Sequence, residues 1–191
     1  MPLQKTINGA FRTVQVFTAS GTYTPPANLA RVKVTVIGGG GASNANGSGG
    51  SGTIGGGAGG MGIGYYEGAQ IGASLTVTVA AASSGPGGTS SFGSLLTATG
   101  GAVAGGQATG TYPATSAPVA GGSATGGTIN ITGSASLSTG GQGGPSPLGA
   151  ALSLPNAAGA NYGGGASATT STNGVNNGAP GIVIVEEFYN I

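Results

Sequence analysis

A regular alternation of apolar and polar residues marks positions 31–37. Valines at positions 32, 34 and 36 alternate with Arg31, Lys33 and Thr35. Because successive side chains of a β-strand point to opposite faces, this pattern predicts a strand with one buried face and one solvated face.

Further strands are predicted on both sides of this one. In a second alternating run, Leu75, Val77 and Val79 are interleaved with Ser and Thr. Residues 181–188 begin with apolar residues on both faces, which is typical of a central strand. Shorter runs rich in β-branched residues predict strands at residues 12–17, 94–99 and 128–132. Helical periodicity of useful length is missing, so the sequence predicts an all-β fold.

Clusters of glycine separate these strands. They occupy residues 38–41, 55–60, 100–106, 121–127, 140–144 and 163–165. A strict Gly-X-Y repeat is absent, which excludes a collagen triple helix. The clusters can instead be interpreted as extended helices of the polyproline II type, with three residues per turn. Such helices have no internal hydrogen bonds, but glycine backbones pack closely enough to hydrogen-bond to one another. The alternative is that the clusters are mobile loops on a small β-sandwich.

Composition narrows the class of protein further. Of 191 residues, 45 are Gly and 10 are Pro, while four basic and three acidic residues leave a net charge of +1. So few basic residues cannot neutralise several phosphates, which argues against an electrostatic nucleic-acid binder. Low charge and a mean hydropathy of +0.22 also differ from the composition of disordered chains.

The residues needed for most catalytic chemistry are missing. The chain has no His, Cys or Asp, so thiolate and imidazole metal sites, catalytic triads and disulfides are excluded. Its carboxylates are Glu67, Glu186 and Glu187, and the last two point to opposite faces of a strand, which prevents them from flanking one glycosidic bond. A pairing of Glu67 with one of them stays open. We therefore expect a protein that is not an enzyme and uses no metal or cofactor.

Two other motifs carry little weight. Residues 57–62 fit the spacing G-x-G-x-x-G, but they neither follow a predicted strand nor open a helix, as a dinucleotide site requires. The start of the chain lacks the apolar core of a signal peptide, and no run of about 18 apolar residues occurs. Secretion by a signal peptide and membrane insertion are not expected.

Several segments together carry a family resemblance. They are Phe17-Thr-Ala-Ser-Gly-Thr-Tyr-Thr-Pro-Pro26, Gly88-Thr-Ser-Ser-Phe-Gly93, Leu96-Thr-Ala-Thr-Gly-Gly101 and Gly178-Ala-Pro-Gly-Ile-Val-Ile-Val-Glu186. This set resembles the glycine-rich domains of tailed-bacteriophage tail-fibre and tail-tip proteins, over about residues 16 to 188. The resemblance implies a β framework at the end of a viral tail appendage, host-surface recognition, and a homotrimer attached to other tail proteins. The chain is also similar to phage adhesins in which packed polyglycine helices present loops at the distal tip.

Two segments interrupt the glycine pattern and are the candidates for receptor contact. Residues 107–118 contain Tyr112 and Pro113, and residues 145–162 contain Leu152, Asn161 and Tyr162. Tyrosine offers a large rigid face and a hydroxyl group at low entropy cost. We expect Tyr112 and Tyr162 near the distal end, although packing between glycine helices is at least as good a role for either side chain.

The sequence thus predicts a small all-β, sandwich-like framework with glycine-rich segments packed as polyglycine or polyproline II helices. Residues 1–15 are predicted to form an attachment segment and residues 16–191 the glycine-rich β domain. The expected function is host attachment on the virion, by binding a surface glycan or protein through exposed loops. A purely architectural tail or capsid component is the alternative, and an ice-binding surface is a weaker third hypothesis.

Overall fold

Two antiparallel sheets and a set of glycine helices make up the fold. The computed structural model describes residues 9–43, 54–104, 118–137, 141–149, 157–168 and 174–190, with the backbone alone at residues 9–12 and 190. Within these residues, no helix is long and apolar enough to cross a membrane.

The first sheet contains the long strands. Its five strands lie in the order β1-β10-β3-β4-β9, so the C-terminal strand pairs with neighbours on both sides. Their bounds are β1 Gly9–Phe17, β3 Leu29–Ile37, β4 Met61–Glu67, β9 Ile129–Ile131 and β10 Ile182–Asn190. The predicted strands at 31–37 and 181–188 are confirmed, and the second of them is a central strand as expected.

The second sheet is built from short strands in the order β2-β5-β6-β7-β8. Their bounds are β2 Gly21–Tyr23, β5 Leu75–Thr78, β6 Ser90–Phe92, β7 Leu96–Ala98 and β8 Ala124–Thr125. A four-residue helix, α1 Gly68–Ile71, follows β4, and the backbone N–H of Glu67 donates to Gln70 Oε1 at its start (2.8 Å).

The hydrophobic core lies between the two sheets. Val32, Val34 and Val36 are fully buried on the inner face of β3, as the alternating pattern predicts. From the second sheet, Phe92 contacts the rings of Tyr23 and Tyr66, with centroid distances of 5.4 and 6.3 Å. Sheet-on-sheet packing of this kind is that of a small β-sandwich, which confirms the predicted fold class.

Four strands were not predicted, namely β2, β4, β6 and β8. The longest, β4, contains two glycines that lower its apparent β propensity. A side chain at Gly64 would occupy the space of the Tyr66 hydroxyl group, whose single proton is shared between the carbonyl oxygens of Leu95 and Gly126, each 3.0 Å away. Glycine in this strand therefore makes room for a buried tyrosine. Its neighbour Tyr65 is 51% exposed, in accord with the alternation of faces.

The domain boundary predicted at residue 16 falls inside a strand. β1 begins at Gly9 and pairs with β10 from Gly9 to Phe17, so residues 9–15 belong to the first sheet. Residues 1–8 of the predicted attachment segment lie outside the described residues.

Glycine helices extend from the same end of both sheets. The central one, residues 55–60, is surrounded by six others. These neighbours are residues 38–43, 99–104, 118–123, 132–137, 141–145 and 163–168. Successive N–H groups of the central helix donate to three of them in turn, and its carbonyls accept from the other three.

The hydrogen bonds return to the same neighbour every third residue. Gly56 and Gly59 donate to residues 166 and 163 at 2.9 and 2.8 Å, whereas Gly57 and Gly60 donate to residues 102 and 99, each at 3.0 Å. This periodicity is that of a helix with three residues per turn, and it satisfies backbone groups that have no partner within their own helix.

Close packing explains why the segments are rich in glycine. A Cβ atom at Gly60 would lie 2.5 Å from the carbonyl carbon and oxygen of Ser123 in a neighbouring helix. Real Cβ atoms do not approach backbone so closely, so the helices would have to move apart. The glycine clusters in the described residues are therefore packed helices rather than loops.

Candidate functional site

The end of the helix bundle furthest from the sheets is the candidate functional site. Residues 38–43 continue directly from β3, so at about 3.1 Å per residue Ser43 lies roughly 19 Å beyond the sheet. Residues 99–104 run parallel to them, with Gly101 N–H donating to Gly39 and Ala104 N–H to Ala42. The outgoing helices therefore end at a common level, which we call the platform.

The platform is defined by the described residues at the ends of these helices. They are Ser43, Ala104, Pro118, Leu137, Gly141, Ala168, Val175 and Asn176. Apolar side chains project from it, because Leu137 is 53% and Val175 is 46% exposed.

Asn176 ties three helices together at this level. Its N–H donates to Ser43 Oγ and its carbonyl accepts from Ser43 N–H, each at 3.0 Å. Its side-chain Nδ2 donates to the carbonyl of Ser167, also at 3.0 Å. These bonds fix the helix ends, so the platform is a rigid base for whatever chain leaves it.

Four stretches outside the described residues join helix ends at the platform. Residues 44–53, 105–117, 138–140 and 169–173 each connect two helix ends that lie there. Tyr112 and Pro113 belong to the second of these stretches and Leu152 to residues 150–156, so all three lie outside the described residues.

Asn161 and Tyr162 lie at the opposite end of the bundle. The N–H of Gly163 donates to Pro180 O at 2.8 Å, and a side chain at Gly163 would lie 2.6 Å from Ile37 at the end of β3. Asn161 is exposed with a φ of 53°, and the Tyr162 carbonyl accepts a hydrogen bond from Ser146 Oγ. Tyr162 therefore lies beside the sheets, at the end of the bundle away from the platform, because its turn returns the chain to the sheets.

A buried polar cluster surrounds Glu187 on the inner face of the first sheet. The carboxylate, 1% exposed, accepts from Tyr23 Oη, Gln15 Nε2 and Tyr189 Oη at 2.9 Å each. Thr13 Oγ1 also donates to it. Burial, followed by the hydrogen bond to Glu187, raises the pKa of Tyr23 above its ordinary value. Hydrogen bonds from donors on β1, β2 and β10 thus meet at one carboxylate, and they stabilise the junction of these three strands.

The other strand carboxylate faces outward. Glu186 forms an ion pair with Lys33 at 2.6 Å, across the pairing of β10 with β3. The pKa of Lys33 is raised by its hydrogen bond to Glu186, against a smaller opposing effect of burial. Opposite orientations of Glu186 and Glu187 were predicted, whereas the buried cluster was not: neither Tyr23 nor Gln15 is near Glu187 in sequence.

Comparisons with known proteins add no relative. No protein family matches the chain, and no curated protein matches it either.

Proposed function

We propose that this chain is a bacteriophage tail-fibre or tail-tip protein that attaches the virion to its host through chain segments displayed on the platform. The observation that carries the proposal is the platform itself. Several helices end at one level, and each is held by backbone hydrogen bonds to its neighbours. A rigid scaffold that presents several connections side by side is a common basis for recognition.

The sequence resemblance to tail-fibre and tail-tip domains supports the same function. Attachment to other tail proteins on the virion is part of the proposal. Its alternative, a purely architectural component, shares this location but needs no receptor.

The chemistry of the chain favours a neutral ligand. With seven charged residues in all, binding relies on apolar contact, stacking and hydrogen bonds with amide and hydroxyl groups. A host glycan or a pilin-like protein surface fits these properties better than a polyphosphate does. Because few charges are available for screening, we expect affinity to change little between low and high salt.

Binding of the purified full chain to a panel of bacterial cells tests the proposal. Two matched variants separate the two ends of the bundle: Leu137→Ser on the platform and Leu148→Ser near the sheet end, where the side chain is 45% exposed. We expect the first to weaken binding by about 1 kcal/mol or more and the second to leave it unchanged.

Tyr112→Ala is the corresponding test of the aromatic candidate. Its segment connects Ala104 and Pro118, both on the platform, so the substitution should weaken binding by about 1 to 3 kcal/mol without lowering thermal stability. Tyr162→Ala is its control at the opposite end. Unchanged binding by both platform variants, or binding that collapses with salt, would favour the architectural alternative.

A further inference from the structure

The outer face of the first sheet, which points away from the sandwich core, exposes apolar side chains. Val14 and Val16 on β1 are 48% and 54% exposed, Tyr65 on β4 is 51% exposed, and Ile129 and Ile131 on β9 are 48% and 39% exposed. Five of the eight exposed large apolar side chains in the described residues thus share one surface. Concentration of this kind marks an interaction site rather than scattered surface residues.

The strand register joins these residues into a continuous strip. Val16 pairs with Ile184, Ile184 with Thr35, Thr35 with Ile63, and Ile63 with Ile129, so one row crosses all five strands. Four of its members are Val or Ile, and the fifth is another β-branched residue. Thr35 at the centre of the row is only 8% exposed, so the row offers its apolar surface through the Val and Ile side chains on either side.

Charged residues occupy the adjacent row, and the row beyond it pairs Arg31 with Glu67. Val14, Glu186, Lys33 and Tyr65 follow one another across β1, β10, β3 and β4. The Lys33 and Glu186 side chains keep 31% and 27% of their surface exposed. The centre of the face is therefore neutral, with one positive and one negative group on adjacent strands.

This arrangement is complementary to itself. A two-fold axis parallel to the strands, between β10 and β3, would place Lys33 opposite Glu186 of a second copy and Val14 opposite the second copy's Tyr65. The same rotation would place Val16 opposite Ile63 of the second copy. Unlike charges and apolar groups then meet in both rows, as an isologous interface requires.

The area is sufficient for association. Four overlapping strands at about 4.8 Å spacing and about 25 Å length give roughly 500 Å² on each copy, or roughly 1,000 Å² in total. That value lies at the lower limit for specific interfaces, so dissociation constants on the order of micromolar are expected.

We propose that two copies of this chain pack face to face through the outer face of the first sheet, with Lys33 of each copy against Glu186 of the other. The interface lies on the sheet, away from the platform, and it does not depend on the proposed attachment function. Such a dimer differs from the homotrimer that the sequence resemblance implies, and it leaves both platforms free.

Sedimentation equilibrium of the full chain from about 1 to 200 µM tests the association. We expect a concentration-dependent mass between 17.5 kDa and twice that value. Val16→Glu should raise the dissociation constant at least tenfold, whereas the control Val175→Glu, at a valine of similar exposure on the platform, should leave it unchanged. Unchanged melting temperatures would show that both variants are folded.

Charge exchange tests the pairing itself. Lys33→Glu and Glu186→Lys should each weaken self-association at least tenfold, because each creates a face with two like charges. An equimolar mixture of the two variants should associate again, with an affinity within a few-fold of the unsubstituted chain. A wild-type chain that stays monomeric at 200 µM, a mass of three chains, or a mixture no tighter than either variant alone would overturn the proposal.

Discussion

Adding one methyl group to the central glycine helix provides a quantitative test of the bundle. In a Gly60→Ala variant, the new Cβ would lie 2.5 Å from the carbonyl carbon and oxygen of Ser123 and 2.8 Å from its Cα. All three atoms are backbone, so no side-chain rotation relieves the contact. Restoring an ordinary separation of about 3.4 Å requires the two helices to move apart by about 1 Å.

The cost follows from that displacement. Overpacking in a well-packed interior costs about 1 to 3 kcal/mol. Loss of one backbone hydrogen bond between these two helices, from Gly122 N–H to Ala58 O, adds about 0.5 to 1.5 kcal/mol. The lower entropy of the unfolded alanine chain offsets about 0.4 to 1 kcal/mol. We therefore expect a net destabilisation of about 2 kcal/mol, or a melting temperature lower by roughly 4 to 8 °C.

Gly85→Ala is the matched control. It lies in the glycine-rich stretch that hydrogen-bonds to residues 38–43, but the atom closest to its added Cβ is Ser83 Oγ at 3.8 Å, an ordinary contact. We expect this variant to be as stable as the unsubstituted chain or more stable by up to about 1 kcal/mol. Thermal and urea unfolding of both variants provide the measurement. Equal stabilities for Gly60→Ala and Gly85→Ala would refute close backbone packing in the bundle.

Two further predictions concern the sandwich. Because the folded-state pKa of Tyr23 is raised, the unfolded chain loses this proton first above pH 10, and stability should fall as pH rises beyond that value. Tyr23→Phe should cost about 1 kcal/mol at pH 7 but make the alkaline slope shallower by about 1 kcal/mol per pH unit. Parallel slopes of the free energy of unfolding against pH, measured by urea unfolding of the two proteins, would contradict this. Gly64→Ala should destabilise by about 2 kcal/mol through collision with the Tyr66 hydroxyl, and its cost should shrink in a Tyr66→Phe background; full additivity in this double-mutant cycle would count against the contact.

The long strands could be predicted because their alternation reflects burial on a single sheet face. In β3, three valines are fully buried between the sheets, so the sequence pattern and the packing carry the same information. β4 could not be predicted in this way. Gly64 is required by the neighbouring Tyr66 and Gly62 by Leu96 of the second sheet, and requirements of that kind appear only when the side chains are placed together in space.

The bundle and the site were predictable to different degrees. Clusters of glycine between well-patterned strands favoured packed helices, but the order of neighbours around residues 55–60 depends on chain segments as distant as residues 38 and 166. The position of Tyr162 in the bundle could not be predicted for a related reason. Its segment interrupts the glycine pattern, yet the interruption is a turn beside the sheets, and local sequence does not distinguish the two ends of a helix bundle.

Amide hydrogen exchange in residues 56–60 tests the central claim, an ordered glycine bundle that supports the platform, most directly. Each of these five N–H groups donates to a carbonyl of a neighbouring helix, at 2.8 to 3.0 Å. We predict that they exchange as slowly as the core amides of β3. The free energy of opening calculated from their exchange rates should then be close to the free energy of global unfolding. Exchange at free-chain rates in residues 56–60, with β3 still protected, would contradict the account.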